Sequence, residues 1–276
     1  MQNKPTFSIV TASLNQKDFI EFNIQSVIRQ DYPYLEHIVI DGGSTDGTLD
    51  ILKQYGDRIK WLSEPDRGQS DALNKGFKRS TGDIIGWINS DDALAPGALN
   101  RIVDFFSTHS EAKIVGGDLL IIDEKNQPLE LRKGKFLDFD YILNKPDGVL
   151  QPSTFFKREL FERTGYLDES LHFCMDYDFF LQLARISNFE YIPHILSMFR
   201  LQEGSKTVTH PYHFFKEAIK VRGRYGGRLF SNYGLRLFSL YYIIQPSMRI
   251  PFLSQLILKI MELRKRKRRQ RFFCNG

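Results

Sequence analysis

Short apolar runs alternate with helical stripes through the first half of the 276-residue chain. The runs predict strands at Phe7–Thr11, His37–Asp41, Ile59–Ser63, Ile84–Ile88 and Lys113–Gly116. Between the first two, Ile20, Ile24, Val27 and Ile28 recur at i, i+4, i+7 and i+8, one stripe of an amphipathic helix. Leu49, Ile51 and Leu52 mark a second helical stretch, Asp71–Phe77 opens a third, and Pro96 sits near the start of a fourth. Strands and helices joined by short connections predict an α/β fold with a mainly parallel sheet covered on both faces. In such sheets ligands bind beyond the carboxyl ends of the strands, near the point where strand order reverses. The loops that matter are therefore Thr11–Asn15, Asp41–Thr48, Glu64–Gln69 and Asn89–Asp92.

The second half is less regular. Val149–Phe156 reads as a strand, Asp176–Ile186 as a helix, and Glu190–Arg200 as one or two strands around Pro193. From about His210 the pattern turns helical and rich in Lys, Arg and aromatics, interrupted at Pro246 and Pro251. No internal repeat is visible.

Composition narrows the class. An apolar fraction of 42%, with 23 Phe and 12 Tyr, suffices for a sizeable core and excludes a disordered or collagen-like chain. Two cysteines, Cys174 and Cys274, are too few for a disulfide framework, so a reducing cytosol is expected. Met1–Thr6 runs straight into the first strand with no basic-then-apolar leader. No uninterrupted apolar stretch of about 18 residues is present, and no transmembrane helix is expected. The formal charge of +5 includes Arg264, Lys265, Arg266, Lys267, Arg268, Arg269 and Arg271, without which the remainder carries −2. Basicity is thus a property of the tail, which argues against a nucleic-acid-binding body. A basic tail after the apolar segments Leu235–Ile244 and Phe252–Met261 suits helices lying on an anionic membrane surface. The alternative is two helices packed on the main domain, with a solvated tail.

Four segments carry candidate chemistry. Trp87-Ile88-Asn89-Ser90-Asp91-Asp92 ends an apolar strand in two adjacent carboxylates, which repel unless a positive charge joins them. A hard cation, Mg²⁺ or Mn²⁺, would serve and would also grip phosphate oxygens; capping of the helix near Pro96 is the plainer alternative. Asp41-Gly42-Gly43-Ser44-Thr45-Asp46-Gly47-Thr48 permits close approach of a ligand to backbone, or is simply a turn. It fits neither G-x-G-x-x-G nor a P-loop. Glu64–Gly76 combines charges with a helix start, where free N–H groups favour anions and where Arg67 or Lys75 could add charge. Phe173-Cys174-Met175-Asp176-Tyr177-Asp178 sets two acids among apolar neighbours, where a carboxylate can hold a raised pKa and act as general base. Asp176 could instead be an N-cap, and Asp178 would face away from it.

Taken in order, Phe-Ser-Ile-Val-Thr-Ala-Ser-Leu-Asn, Asp-Gly-Gly-Ser-Thr-Asp-Gly-Thr, Ser-Glu-Pro-Asp-Arg-Gly-Gln-Ser-Asp-Ala, Gly-Asp-Ile-Ile-Gly-Trp-Ile-Asn-Ser-Asp-Asp and Met-Asp-Tyr-Asp resemble the inverting family 2 glycosyltransferases of the GT-A fold. The resemblance covers roughly Thr6 to Lys206 and points to bacterial enzymes that build O-antigen and capsule repeat units. It implies a GT-A catalytic domain over 1–208, with a donor half at 1–118 and an acceptor half at 119–208, followed by a helical extension over 209–276. It implies that Thr11, Asn15 and the Asp41 loop hold the nucleoside, usually uridine. Asp66, Gln69 and Asp71 would shape the donor pocket, Asp91 would contact the donor's sugar or ribose, Asp92 would ligate Mn²⁺ or Mg²⁺, and Asp176 would be the catalytic base. The expected partners are a nucleotide-sugar donor and a saccharide or polyprenyl-diphosphate-linked acceptor, at the cytoplasmic face of the membrane.

Three departures from the family pattern stand out. Gly42 replaces the second Asp of Asp-Asp-Gly-Ser, and Gln202 stands where many relatives carry a histidine after Phe-Arg-Leu. Gln182-Leu183-Ala184-Arg185-Ile186 lacks the Trp of the processive Q-x-x-R-W motif, so addition of a single sugar is expected. The competing readings are a sugar-1-phosphate nucleotidyltransferase and an inactive membrane-associated adaptor. Thr11–Asn15 lacks the Gly-rich basic loop of the first, and the presence of Asp91, Asp92 and Asp176 speaks against the second.

Overall fold

The computed structural model describes residues 4–145, 148–202 and 211–227. The expected membrane-facing segments and the basic cluster at 264–271 lie outside them. Nine strands form one sheet in the order β3-β2-β1-β4-β8-β6-β9-β5, with β7 paired to β6. The parallel half consists of β1 (Phe7–Ser13), β2 (Leu35–Asp41), β3 (Lys60–Ser63) and β4 (Ile84–Trp87). All five strands expected in the first half are present, the fifth as the longer β6 (Ile114–Ile122).

Beyond β4 the sheet becomes mixed rather than mainly parallel. A tight turn is the physical reason for one reversal: Asp123 Oδ1 accepts the N–H groups of Lys125 and Gln127, both at 2.8 Å, and Asn126 takes φ 63°. The chain therefore returns as β7 (Pro128–Arg132), antiparallel to β6. β8 (Thr154–Lys157) runs antiparallel between β4 and β6 and is shorter than the expected strand. Glu190–Arg200 proves to be one strand, β9 (Phe189–Arg200), parallel to β6; β5 (Ala93–Leu94) pairs with it. The register steps from Gly117–Ile192 to Asp118–Ile195, which leaves Pro193 outside the ladder, where its missing N–H costs nothing.

Helices pack on this sheet and on one another around it. In α1 (Ile20–Ile28), Ile20, Ile24 and Val27 are buried, the stripe expected from the sequence. α2 (Thr48–Gln54) and α3 (Gln69–Arg79) follow β2 and β3, and α4 (Ala98–Thr108) follows β5. After the short α5 (Phe139–Asn144) and α6 (Phe161–Thr164) comes α7 (Met175–Ala184), which buries eight of its ten residues. α8 (Pro211–Arg224) places Ala218 and Val221 in the same core as Phe179 and Leu181 of α7. The first described part of the expected extension thus packs on the core of the preceding residues. The boundary expected at residue 118 falls inside β6.

His37, inside β2, is 3% exposed, and its Nε2 lies 3.1 Å from Thr11 Oγ1 while Nδ1 has no partner. Burial pushes its pKa down to about 3. Between that value and 6.5 the unfolded chain binds the extra proton, so stability falls as pH drops through this window. The urea midpoint is expected to fall from pH 7.5 to pH 5, and the fall to shrink in His37→Leu. An equally steep pH dependence in that variant would assign the effect to other groups.

Candidate functional site

Strand order 3-2-1-4 reverses at β1, so the crevice opens between the carboxyl ends of β1 and β4. The loops expected to carry chemistry surround it. Asp41, at the end of β2, is fully buried and spent on its own loop. Its Oδ2 accepts from Gly43 N–H, Ser44 N–H and Ser63 Oγ at 3.0, 2.8 and 2.7 Å, and its Oδ1 accepts from Ser44 Oγ. Asn15 sits at φ 52°, clamping that loop through Thr45 N–H to Oδ1 at 2.9 Å and its own N–H to Ser44 Oγ at 2.7 Å. Thr11 is also fully buried and faces Asn23 and His37, beneath the crevice floor. These residues shape the loop, and their polar atoms are largely committed within it.

Asp66 takes up the space left by Gly42. A Cβ on Gly42 would overlap the Asp66 carboxylate, whose other oxygen accepts the Gly68 N–H at 2.8 Å. A carboxylate from the β3–α3 loop therefore reaches beside the place where the family pattern puts its second Asp. Asp71, in the first turn of α3, is enclosed by Arg67 and by Lys75 at 3.3 Å. The two cations considered for phosphate contact are thus engaged internally, Arg67 also with Glu169 at 2.6 Å and Lys75 with Glu64 at 2.9 Å.

Asn89 joins these loops to the acid pair. Its Oδ1 accepts from Gln69 Nε2 at 2.9 Å and Trp87 Nε1 at 3.0 Å. Its amide donates to Asp92 Oδ2 at 3.1 Å and Gln151 Oε1 at 3.4 Å. Asp92, the expected metal ligand, is the enclosed member of the pair: 0% exposed, with Oδ1 accepting the Arg200 N–H at 3.0 Å. Asp91 is the more accessible, and Gln202 Nε2 donates to its Oδ2 at 2.9 Å. Gln202, at the position where many relatives carry a histidine, is thus bonded to the acid pair itself.

Burial and the neighbouring Asp91 raise the Asp92 carboxyl well above the usual carboxylate range; burial also raises Asp91. Arg200, 2% exposed, spends its guanidinium on the carbonyls of Asp91 and Asp123 and on Asn126 Oδ1, at 3.0, 2.8 and 2.7 Å. It stacks near Phe19 and Phe22. The pair thus lacks full neutralisation, and its donors are all oxygen, the preference of Mg²⁺ or Mn²⁺. Among the described residues no three acidic, His or Cys side chains form a metal cage.

Asp176 lies in the first turn of α7, its Oδ1 accepting the Tyr177 N–H at 2.8 Å. Burial raises its pKa. Asp178 points elsewhere, to Arg224 and Tyr225 of the α8 end and to Gln182. The N-cap position of α7 is Cys174, which gives no side-chain cap. Glu217 of α8 instead holds the approach to the helix, accepting the N–H groups of His172, Phe173 and Cys174 at 3.1, 2.8 and 3.0 Å, and places a negative charge at its N-terminus. The loop before α7 also meets α3, through Ser70 to the Leu171 carbonyl and Asn74 to Leu167. Gln151 and Glu217 were not singled out from the sequence, and Asn89 and Arg200 entered it only as the first residue of the Asn89–Asp92 loop and the last of the Glu190–Arg200 strand.

Arg200→Met keeps most of the volume but strands three acceptors, and is expected to cost about 3 kcal/mol in urea unfolding. A loss below about 1 kcal/mol would show that the guanidinium is not a keystone. Glu217→Gln is expected to speed amide exchange at residues 172–174, and unchanged exchange would count against these contacts.

The glycosyl transferase family 2 model matches residues 8–177. An uncharacterized glycosyltransferase of Rickettsia typhi is 28% identical over 215 residues, 74% of this chain and 67% of that protein. Among solved structures, S. aureus TarS 1-349 in complex with UDP-GlcNAc superposes with a TM-score of 0.63 at 18% identity, covering 86% of this chain and 71% of that one. The mannosyltransferase PcManGT from Pyrobaculum calidifontis, in complex with GDP-Man and Mn²⁺, gives 0.60 at 17% identity, over 95% and 81%. At these identities the superpositions speak to the fold, which is the GT-A type.

Proposed function

Because the chain belongs to glycosyl transferase family 2, we propose that it moves one sugar, with inversion, from a UDP-sugar to a hydroxyl of a glycan or polyprenyl-diphosphate-linked saccharide in bacterial surface polysaccharide synthesis. One observation carries this reading: the Asp41 loop, the Asp66–Asp71 segment and the Asp91–Asp92 pair meet at the strand-order reversal, with Asn89 bonded to Gln69 and Asp92 alike. The UDP-GlcNAc of the TarS complex and the GDP-Man and Mn²⁺ of the mannosyltransferase complex support a nucleotide-sugar donor and a divalent ion.

In this scheme the nucleoside lies against the Asn15–Asp41 loops, with the Asp66 carboxylate beside it. The acid pair would hold the metal, with Asp92 as its ligand and the more accessible Asp91 turned to the donor's sugar or ribose. When bound, the ion would stabilise the charge that develops on the departing diphosphate. Asp176 takes the proton from the acceptor hydroxyl as that oxygen attacks the anomeric carbon opposite the nucleotide. Its burial-raised proton affinity suits a general base better than an exposed carboxylate would. One displacement converts an α-linked donor into a β-linked product. The region beyond residue 227 would hold the enzyme against the cytoplasmic face of the membrane. Among the described residues no helix is long and apolar enough to cross one.

Asp176→Asn is expected to lower kcat by about 10²–10⁴-fold with donor affinity nearly unchanged. In the wild type, activity should fall as pH drops through the raised Asp176 pKa, because only the carboxylate accepts the proton. NMR of the product should show the inverted anomer. Retained configuration, or an Asp176→Asn enzyme within tenfold of wild type, would remove Asp176 from the role of base.

A further inference from the structure

The segment between β7 and β8 forms a second concavity, of about 390 Å³. Among the described residues four cations line it, Arg132, Lys133, Lys135 and Lys145, against one carboxylate, Glu130. Glu130 is paired with Arg132 at 3.3 Å. Among the described residues no carboxylate pairs with the three lysines. Lys135 and Lys145 place their Nζ atoms 4.3 and 5.2 Å from the centre of the Tyr141 ring, and Lys135 also bonds its hydroxyl.

This convergence is built into the backbone. Gly134 donates its N–H to Asp118 Oδ1 at 2.8 Å, and a Cβ there would stand 2.6 Å from the Gly117 carbonyl oxygen. Leu137 exchanges two backbone hydrogen bonds with Phe189 of β9, at 3.0 and 2.8 Å. Asp138 then caps α5 by accepting the Tyr141 N–H at 2.7 Å, which fixes the ring. Lys133 and Lys135 therefore stand on a segment pinned to the sheet on both sides. Holding like charges together costs free energy that a bound polyanion returns.

Two further features describe the ligand. Leu131 and Phe136 are exposed by 38% and 49%, two large apolar side chains left in solvent beside the cations. The wall includes Leu150, and the next residue, Gln151, donates to the Trp87 carbonyl and accepts from Asn89. The cavity thus adjoins the acid-pair network by one residue of chain. We propose that it binds the diphosphate of a lipid-linked saccharide acceptor, the lysines meeting phosphate oxygens and Leu131 and Phe136 meeting the first hydrocarbon units. The assignment rests on the acceptor side of the transferase reading. It gives the acceptor an anchor separate from the donor's phosphates.

Calorimetry with farnesyl diphosphate, inorganic pyrophosphate and phosphatidylglycerol vesicles, each at saturating UDP and Mn²⁺, tests this. The wild type should bind farnesyl diphosphate best and pyrophosphate more weakly. The Lys133→Gln/Lys135→Gln/Lys145→Gln variant should bind both at least about 30-fold more weakly, as expected for losing several charge-assisted contacts. Its melting temperature and UDP affinity should match wild type; if it melts early, Lys133→Gln alone carries the comparison. Equal affinity in wild type and variant, no pyrophosphate binding while UDP saturates its own site, or binding of vesicles only would each overturn the proposal. Lysine-dependent diphosphate binding by a protein that binds no UDP would leave this site standing and defeat the transferase reading.

Discussion

Arg200 lies at the end of β9 with 2% of its surface exposed, beside two carboxylates. Burying a guanidinium costs several kcal/mol unless its donors are satisfied, and here they meet two backbone carbonyls and Asn126 Oδ1. Those acceptors come from the acid loop and the β6–β7 turn, while Phe19 and Phe22 of the α1 region cover its face. One side chain thus fixes three segments. It also explains why the acid pair stays electrostatically unfinished. The Arg200 charge beside Asp91 and Asp92 is directed at neutral oxygens, and the carboxylates keep raised proton affinities.

The two halves of the sheet divide the work. The parallel half provides ends at which backbone loops gather, and there Asp41, Asn15 and Asp71 are consumed in holding those loops. The mixed half brings β9, and with it Arg200 and Gln202, against the acid pair. α7 carries Asp176 and is held by α8 near its start: Glu217 accepts the N–H groups of the residues that lead into it, and Arg224 holds Asp178 in its first turn. A helix at the entry to the C-terminal region therefore positions the candidate base.

Much of the parallel half was legible because a doubly covered strand reads as a continuous apolar run, and α1 as a 3.6-residue stripe. The loops were legible for the same reason, since they follow those strands. β5 and β7 were not, being a two-residue pairing and a short, largely exposed edge strand, Pro-Leu-Glu-Leu-Arg. The roles of Asn89 and Glu217 were hidden because each acts on residues distant in sequence: Asn89 on Gln69 and Gln151, Glu217 on the backbone of 172–174. Hydropathy carries no signal for such pairs. Thr11 shows the converse limit. Its motif marked it as a ligand contact, whereas its hydroxyl points to His37 within the protein.

The central claim is that the acid pair joins a metal ion to a nucleotide-sugar at the strand-order reversal. Calorimetric titration of UDP-, GDP- and dTDP-sugars, with Mn²⁺ and then with EDTA, in wild type and Asp91→Asn, tests it most directly. The account predicts one UDP-sugar bound with Mn²⁺, and at least about tenfold weaker binding either in EDTA or in the variant. Donor binding of equal strength with and without metal, or no donor bound by the folded protein, would contradict it.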